Sequence, residues 1–220
     1  AHEINNPLQA IQNYLTLMQE EMDGEQRRDK LDRYLRVVGG EVGRISAIVR
    51  RMRDYYRPAH ERLRPTDLRV VLDSVLDLSA KELQHHHIVV QRLESDDLPH
   101  VQANPDHLKQ VFLNLILNAI DAMPSGGELR IRSSLAEMQR ESGEPRRPAV
   151  CVEVSDTGHG ISPEMQAKLF EPFFTTKEQG AGLGLSISYN IIEAHNGHIS
   201  VSSEEGVGTT FSILLPVASA

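Results

Sequence analysis

Apolar side chains in the first part of the chain recur at Ile4, Leu8, Ile11, Leu15, Met18 and Met22, and again at Leu31, Leu35, Val38, Val42, Ile45, Val49 and Met52. Both runs alternate steps of four and three, which keeps every apolar residue on one narrow seam of a helix packed in a bundle. The polar stretch "DGEQRRD" (Asp23 to Asp29) lies between them and is short, as a connection between antiparallel helices should be. The pattern predicts an α-helical hairpin over residues 1–57. Two narrow seams bury poorly alone, so a homodimer completing a four-helix bundle is expected. Extending the first seam backwards puts Ala1 on it, which leaves His2, Glu3 and Asn6 facing solvent, with His2 and Asn6 one turn apart on the same face. Pro7 cannot donate to the Glu3 carbonyl and is expected to bend or loosen the helix beside His2.

Beyond Arg57 the pattern changes. A Pro- and Arg-rich segment, 58–66, reads as a hinge, and residues 67–220 read as a second domain. There the periodicity predicts a helix from Asp67 through Leu83, strands at "HIVVQRL" and "HVQAN", and a helix from Pro105 to Met123. Further strands follow at "ELRIRSSL" and "AVCVEVSD", separated by a polar loop over 136–147. The chain closes with a helix from Leu185 to His195, ended by Asn196-Gly197, and a hairpin of "HISVSSE" and "GTTFSILLP". Helices and mainly antiparallel strands without regular alternation indicate an α+β fold with helices on one face of a sheet.

Charge sharpens the division. Residues 1–64 hold 12 Lys and Arg against 10 Asp and Glu, and residues 65–220 hold 11 against 21. The one basic stretch, "VRRMRDYYR" (Val49 to Arg57), interleaves charge with apolar residues as a solvated amphipathic face does, so no nucleic-acid surface is expected. A single cysteine, Cys151, excludes an intrachain disulfide and suits a reducing compartment, and its place in an apolar strand argues against a reactive thiol. No apolar run is long enough to span a membrane, and no signal peptide is visible. The chain starts inside a helical pattern and is expected to be the end of a longer protein, which leaves room for a membrane anchor upstream.

Candidate chemistry gathers in four stretches. Asn114 and Asn118 share one face of an otherwise apolar helix, where buried amides need partners; a structural hydrogen bond and a place on a Mg²⁺ ion beside nucleotide phosphates both suit them. In "SDTGHGIS", Asp156 emerges from a strand end, with Gly158 and Gly160 permitting close backbone approach. It can accept a hydrogen bond from an exocyclic amine such as that of adenine, or cap the following turn, a place for which Ser162 is better set. "GAGLGLSIS" puts Gly180, Gly182 and Gly184 before a helix, exposing backbone N–H groups to a phosphate or serving as a flexible hinge. It is neither a dinucleotide fingerprint nor a P-loop. "EPFFTTK" brings Lys177 close enough to screen phosphate charge, and Phe173 and Phe174 read as packing residues that hold the loop. The histidines of "QHHHI" (His85 to His87) read as entering a strand, where neighbours point to opposite faces and do not suit a metal site.

Taken in order, these stretches resemble the sensor histidine kinases. "HEINNPL" resembles their phosphoacceptor box, "NLILNAIDAM" the N box, "DTGHG" the G1 box, "EPFFTTK" the F box and "GAGLGLSIS" the G2 box. The likeness covers nearly the whole chain, and "NAIDAM" with a short gap after "TTK" is similar to the nitrogen-regulation subgroup. It implies a dimeric phosphotransfer hairpin followed by an α+β ATP-binding sandwich of the gyrase, heat-shock and histidine-kinase type. It further implies ATP and Mg²⁺, autophosphorylation on His2, and transfer to an aspartate of a response-regulator receiver. By the same likeness Glu3 takes the proton from the His2 ring, Asn6 orients water for dephosphorylation of the partner, and Asn118 is a Mg²⁺ ligand. Asn114 lies on the phosphate side, Asp156 reads adenine, and Gly158, Gly160, Gly180, Gly182 and Gly184 shape the pocket and lid. Many relatives carry Lys three residues past Asn118; here Asp121 stands there, which shifts phosphate neutralisation toward Mg²⁺ and Lys177. A cytoplasmic location follows. The alternatives are an ATP-binding regulatory module without autokinase activity and a stand-alone ATPase, which needs a glutamate beside Asn118 that this helix lacks.

Overall fold

The computed structural model describes residues 2–20, 30–43, 63–95, 97–139, 145–175 and 182–218, with the backbone alone at 2–6 and 19–20. Chain contacts divide it into two units, 1–57 and 58–220. Of the sequence-based expectations, the seam beyond Val42, the basic stretch at 49–57, Lys177 and Gly180 lie outside the described residues.

In the first unit, helix α1 (His2–Glu20) runs uninterrupted through Pro7. The proline removes the hydrogen bond to Glu3 without ending the helix. A second helix, α2, covers 30–43, and Tyr14 of α1 meets Tyr34 of α2 with ring centroids 5.5 Å apart. Within one chain the predicted seam stays half open: Leu15 is 46% exposed, Leu35 52% and Val42 48%.

The second unit contains β1 (Arg64–Thr66), α3 (Leu68–His85), β2 (Ile88–Glu94), β3 (Val101–Ala103), α4 (Pro105–Ala122), β4 (Gly127–Met138), β5 (Arg147–Asp156), α5 (Pro163–Gln166), α6 (Gly184–Ala194), β6 (His198–Glu204) and β7 (Gly208–Pro216). Five strands form one sheet in the order β2-β4-β5-β7-β6, with β2 and β4 parallel and the other pairs antiparallel. Period-two alternation turns Leu129, Ile131, Val150, Val152, Val154, Phe211, Ile213 and Leu215 to the face that α3, α4 and α6 cover. On α4, Leu108, Val111, Phe112, Leu115, Ile116, Ala119 and Ile120 are buried against it. The opposite sheet face carries Arg130, Arg132 and Glu153, so water covers it and no second helix layer is needed.

Helix starts follow local chemistry. Asp67 caps α3 by accepting from Arg69 N at 2.9 Å, and Asn104 caps α4 by accepting from Asp106 N at 2.9 Å, with Pro105 next. Three details depart from the sequence expectations. Strand β1 falls inside 58–66: it pairs antiparallel with β3, and Thr66 Oγ1 donates to Ala103 O at 3.1 Å, a partner remote in sequence that local composition does not reveal. Strand β4 continues to Met138 because β5 pairs with it as far as Arg147, so the polar loop is shorter. His85 to His87 end α3 rather than enter a strand: His86 caps the helix and His87 turns the chain at φ 53.

Candidate nucleotide site

Asn114 and Asn118, one turn apart on α4, are half-buried. The Asn114 amide donates through Nδ2 to Ser188 Oγ at 3.1 Å, and Ser188 in turn donates to Gly184 O at 3.0 Å. Gly184 opens α6 and lies so close to Asn114 Oδ1 that a Cβ there would collide with it. Thus α4 and the start of α6 are joined through an amide, a hydroxyl and a missing side chain. Residue Leu183 precedes α6 and supplies no side-chain cap for the first N–H groups of that helix.

Asp156 is the last residue of β5, paired with Leu129 on one side and Thr209 on the other. Burial pushes its carboxyl above the ordinary carboxylate range, and hydrogen bonds from the Gly158 and Thr209 backbones, together with nearby His159, offset part of that rise. Its Oδ1 accepts from Gly158 N at 2.9 Å. Gly158 fits against the last turn of α4, where an added Cβ would lie 2.6 Å from Ala122 Cβ. Gly160 turns the chain at φ 71 directly against Glu204 O, a conformation and a clearance that only glycine meets. The segment after β5 is therefore clamped between α4 and the β6–β7 turn: His159 N donates to Ala122 O at 3.2 Å, and Gly206 N donates to His159 O at 2.8 Å.

The "EPFFTTK" and "GAGLGLSIS" stretches meet through their backbones. Phe173 N donates to Gly182 O at 2.9 Å, Phe173 has φ 67, and Gly182, at φ 61, approaches within 2.5 Å of the Phe173 carbonyl carbon if given a Cβ. The Phe173 ring is 50% exposed. Expectation and structure differ here: the backbone of Phe173, and not its ring, holds the glycine segment. The half-buried Cys151 is raised in pKa by burial, followed by Glu153, with Arg132 opposing, which disfavours the thiolate.

The structure brings Asn114, Gly182 and Gly184 together beside the middle of α4, and Asp156, Gly158 and Gly160 around its last turn. Asn118 lies on the helix between them. His2, Glu3 and Asn6 belong to the other unit, within α1. Sequence reasoning missed Ser188, the partner of Asn114, although its place one turn after Gly184 was a usable signal. It also missed Thr157, whose Oγ1 accepts from Glu128 N at 3.0 Å and fixes the strand end beside Asp156.

Residues 103–219 match the family model described as histidine kinase-, DNA gyrase B-, and HSP90-like ATPase, and residues 1–61 match the His Kinase A (phospho-acceptor) domain. This chain belongs to the histidine kinases. Sensor histidine kinase ZraS of Escherichia coli (strain K12) is 36% identical over 217 residues, covering 99% of this chain and 44% of ZraS. Sporulation kinase E of Bacillus subtilis (strain 168) is 34% identical over 99% of the chain and 28% of its own length. The chain thus spans less than half the length of these curated relatives. Among solved structures, histidine kinase ThkA in complex with response regulator TrrA superposes with a TM-score of 0.71 at 28% identity, covering 99% of this chain and 60% of that one. Full-length ShkA in complex with AMPPNP gives 0.70 at 26% identity, covering 100% and 45%. The two-part architecture read from hydrophobic spacing is that of a histidine-kinase core, a phospho-acceptor hairpin ahead of an ATPase-type sandwich. Among the described residues, no helix is long and apolar enough to cross a membrane.

Proposed function

We propose that this core binds ATP in the 58–220 unit, phosphorylates His2 and passes the phosphoryl group to an aspartate of a response-regulator receiver. The observation that carries the reading is the joint placement of Asn114, Gly182 and Gly184 at the middle of α4 and of Asp156 beside its last turn, within a chain whose first 61 residues match a phospho-acceptor domain. The relatives support the same assignment: ShkA was solved with AMPPNP and ThkA with a response regulator.

The desolvated Asp156 carboxylate accepts from the exocyclic amine of adenine, which gives its charge the partner that burial withholds. Gly182 and Gly184 present backbone N–H groups to the phosphates at the positive end of α6, and Lys177, close to them in sequence, is a cation suited to screening that charge. Asn118 offers a hard amide oxygen, the donor type that Mg²⁺ takes; the ion, when bound, supplies positive charge to the phosphates. Neutral His2 attacks the γ-phosphorus through one ring nitrogen as the bond from phosphorus to the β,γ-bridging oxygen breaks and ADP leaves. Glu3 accepts the proton of the other ring nitrogen. Transfer then forms a carboxylate O–P bond on the receiver aspartate and breaks the N–P bond on His2. Asn6 orients water for hydrolysis of that acyl phosphate. Homodimerisation through the open hairpin seam completes a four-helix bundle, and the lone half-buried Cys151 suits a cytoplasmic setting.

The test is incubation with γ-labelled ATP and Mg²⁺ beside a His2→Gln copy. Acid-labile, base-stable label on the unaltered protein, absent from the variant, is the expected result. ATP binding without label would overturn the kinase reading and leave a regulatory ATP-binding module.

A further inference from the structure

His195, 1% exposed at the C-terminal end of α6, is among the largest side chains sealed inside the 58–220 unit. A buried imidazole without partners is costly, and this one has two. Its Nδ1 lies 2.6 Å from Ile191 O, one turn back on the same helix, and since a carbonyl only accepts, Nδ1 carries the hydrogen. The bare Nε2 accepts from the backbone N–H of Asn104 at 3.0 Å. The two bonds define one neutral tautomer. Protonation would put a hydrogen where Asn104 N already donates, and burial, with nearby His107 on α4 adding to it, lowers the pKa in the same sense.

Asn104 is no neutral anchor. Its side chain caps α4, and its own N–H lies outside that helix's hydrogen-bond ladder in a buried place. The ring therefore ties the end of α6 to the beginning of α4. At their other contact, Asn114 meets Ser188 and Gly184. From Asn104 to Asn114 the rise along α4 is about 15 Å, and from His195 back to Gly184 along α6 about 16 Å. The two antiparallel helices are thus fastened at both ends of α6, to the start and to the middle of α4, over matched lengths. A slip at His195 displaces the Gly184 end against Asn114.

We infer that His195 is a positioning residue for the nucleotide site, a fixed-tautomer clasp that sets the register of α6 on α4 and so the placement of Gly182 and Gly184 beside Asn114. The inference rests on the kinase reading for the ligand that binds there.

The 220-residue chain is compared with His195→Gln, His195→Asn and His195→Phe. Glutamine keeps an acceptor near the place of Nε2. Asparagine keeps a donor near that of Nδ1 and leaves Asn104 N–H unpaired, while phenylalanine keeps the ring volume and neither bond. Binding of trinitrophenyl-ATP, the KM for ATP, the rate at saturating ATP and thermal unfolding are measured for each. At a temperature where all are folded, the glutamine variant should bind within about three-fold of the unaltered chain. The asparagine and phenylalanine variants should bind about ten-fold or more weakly, with KM raised to match and a rate at saturation within about two-fold. Unchanged affinity in either of those two overturns the inference, as does their failure to fold, because the ring would then serve the core as a whole. If the unaltered chain binds no nucleotide, the kinase reading fails separately. Hydrogen exchange over 184–190 then decides the clasp: protection kept by the glutamine variant and lost in the other two upholds it, and protection equal in all overturns it.

Discussion

The two units of this chain bury their apolar residues in different ways. In the 58–220 unit, Phe112, Leu108, Ile116 and Ile213 are fully enclosed by sheet and helices of one chain. In the hairpin, Leu15, Leu35 and Val42 remain about half exposed although the four-three spacing places them on one seam. A sheet with three helices has two layers and closes on itself, whereas two helices have only a seam, and the seam's outer half needs a further helix pair. Apolar residues thus make a self-sufficient unit in one case and leave a half-open seam in the other, the surface on which the proposed dimer would close.

Phe112→Ala is the most severe way to test the first half of that contrast: it should lower the stability of the 58–220 unit by about 3–5 kcal/mol, read by urea unfolding. Leu35→Asp tests the second half. It should weaken self-association about a hundred-fold in sedimentation equilibrium and leave the unfolding transition of the 58–220 unit in place, because it puts a charge into the half-exposed seam on which the proposed dimer closes. Equal association in that variant would place the dimer elsewhere.

Within the 58–220 unit, Asp156 is where the proposed adenine contact and stability can be told apart. Its folded pKa is raised, so the ionised carboxylate is disfavoured by the fold and stability is drained as pH rises through that pKa. Asp156→Asn keeps an acceptor for Gly158 N and removes the charge. It should lower ATP affinity about ten-fold in calorimetry, since the amide presents an NH₂ or a weaker acceptor to adenine, with Tm equal to or above that of the unaltered chain. A large fall in Tm would make Asp156 structural. The smallest effect concerns pH. His195 has a lowered folded pKa, so the unfolded chain binds more protons; its contribution is complete above about 6.5 and is lost as pH falls below that value toward the folded pKa. The difference in unfolding free energy between the unaltered chain and His195→Gln should shrink as pH falls from 7 to 5, with the contribution of Asp156 cancelling in the subtraction.

Much of the architecture was legible because it is written in local periodicity. Helices α3 and α4 begin at Asp67 and Asn104 with side chains that cap them, and the β6–β7 hairpin follows from alternating residues around a turn. Asp156 and the glycines stood out for a related reason: a carboxylate at a strand end and glycines before a helix have few uses. Strand β1 was not legible, because three residues carry no period and their partner, β3, is 37 residues away at Thr66 and Ala103. Phe173 was misread because an aromatic pair suggests packing, while its left-handed backbone depends on Gly182, which the fold alone places beside it.

By itself the sequence determined where the longer helices and strands lie, that the chain has two parts of different charge, and which side chains have the chemistry for phosphate, adenine and phosphoacceptor roles. These follow from covalent spacing, since a period of 3.5, 3.6 or 2 assigns each residue a face before any partner exists. Only the tertiary structure decided that Asn114 bonds Ser188, that Asp156 is desolvated against Thr209, and that His195 ties α6 to Asn104 across 91 residues of chain. Such contacts depend on two elements meeting in one register, and that register is set by packing summed over the whole core, which no local pattern contains.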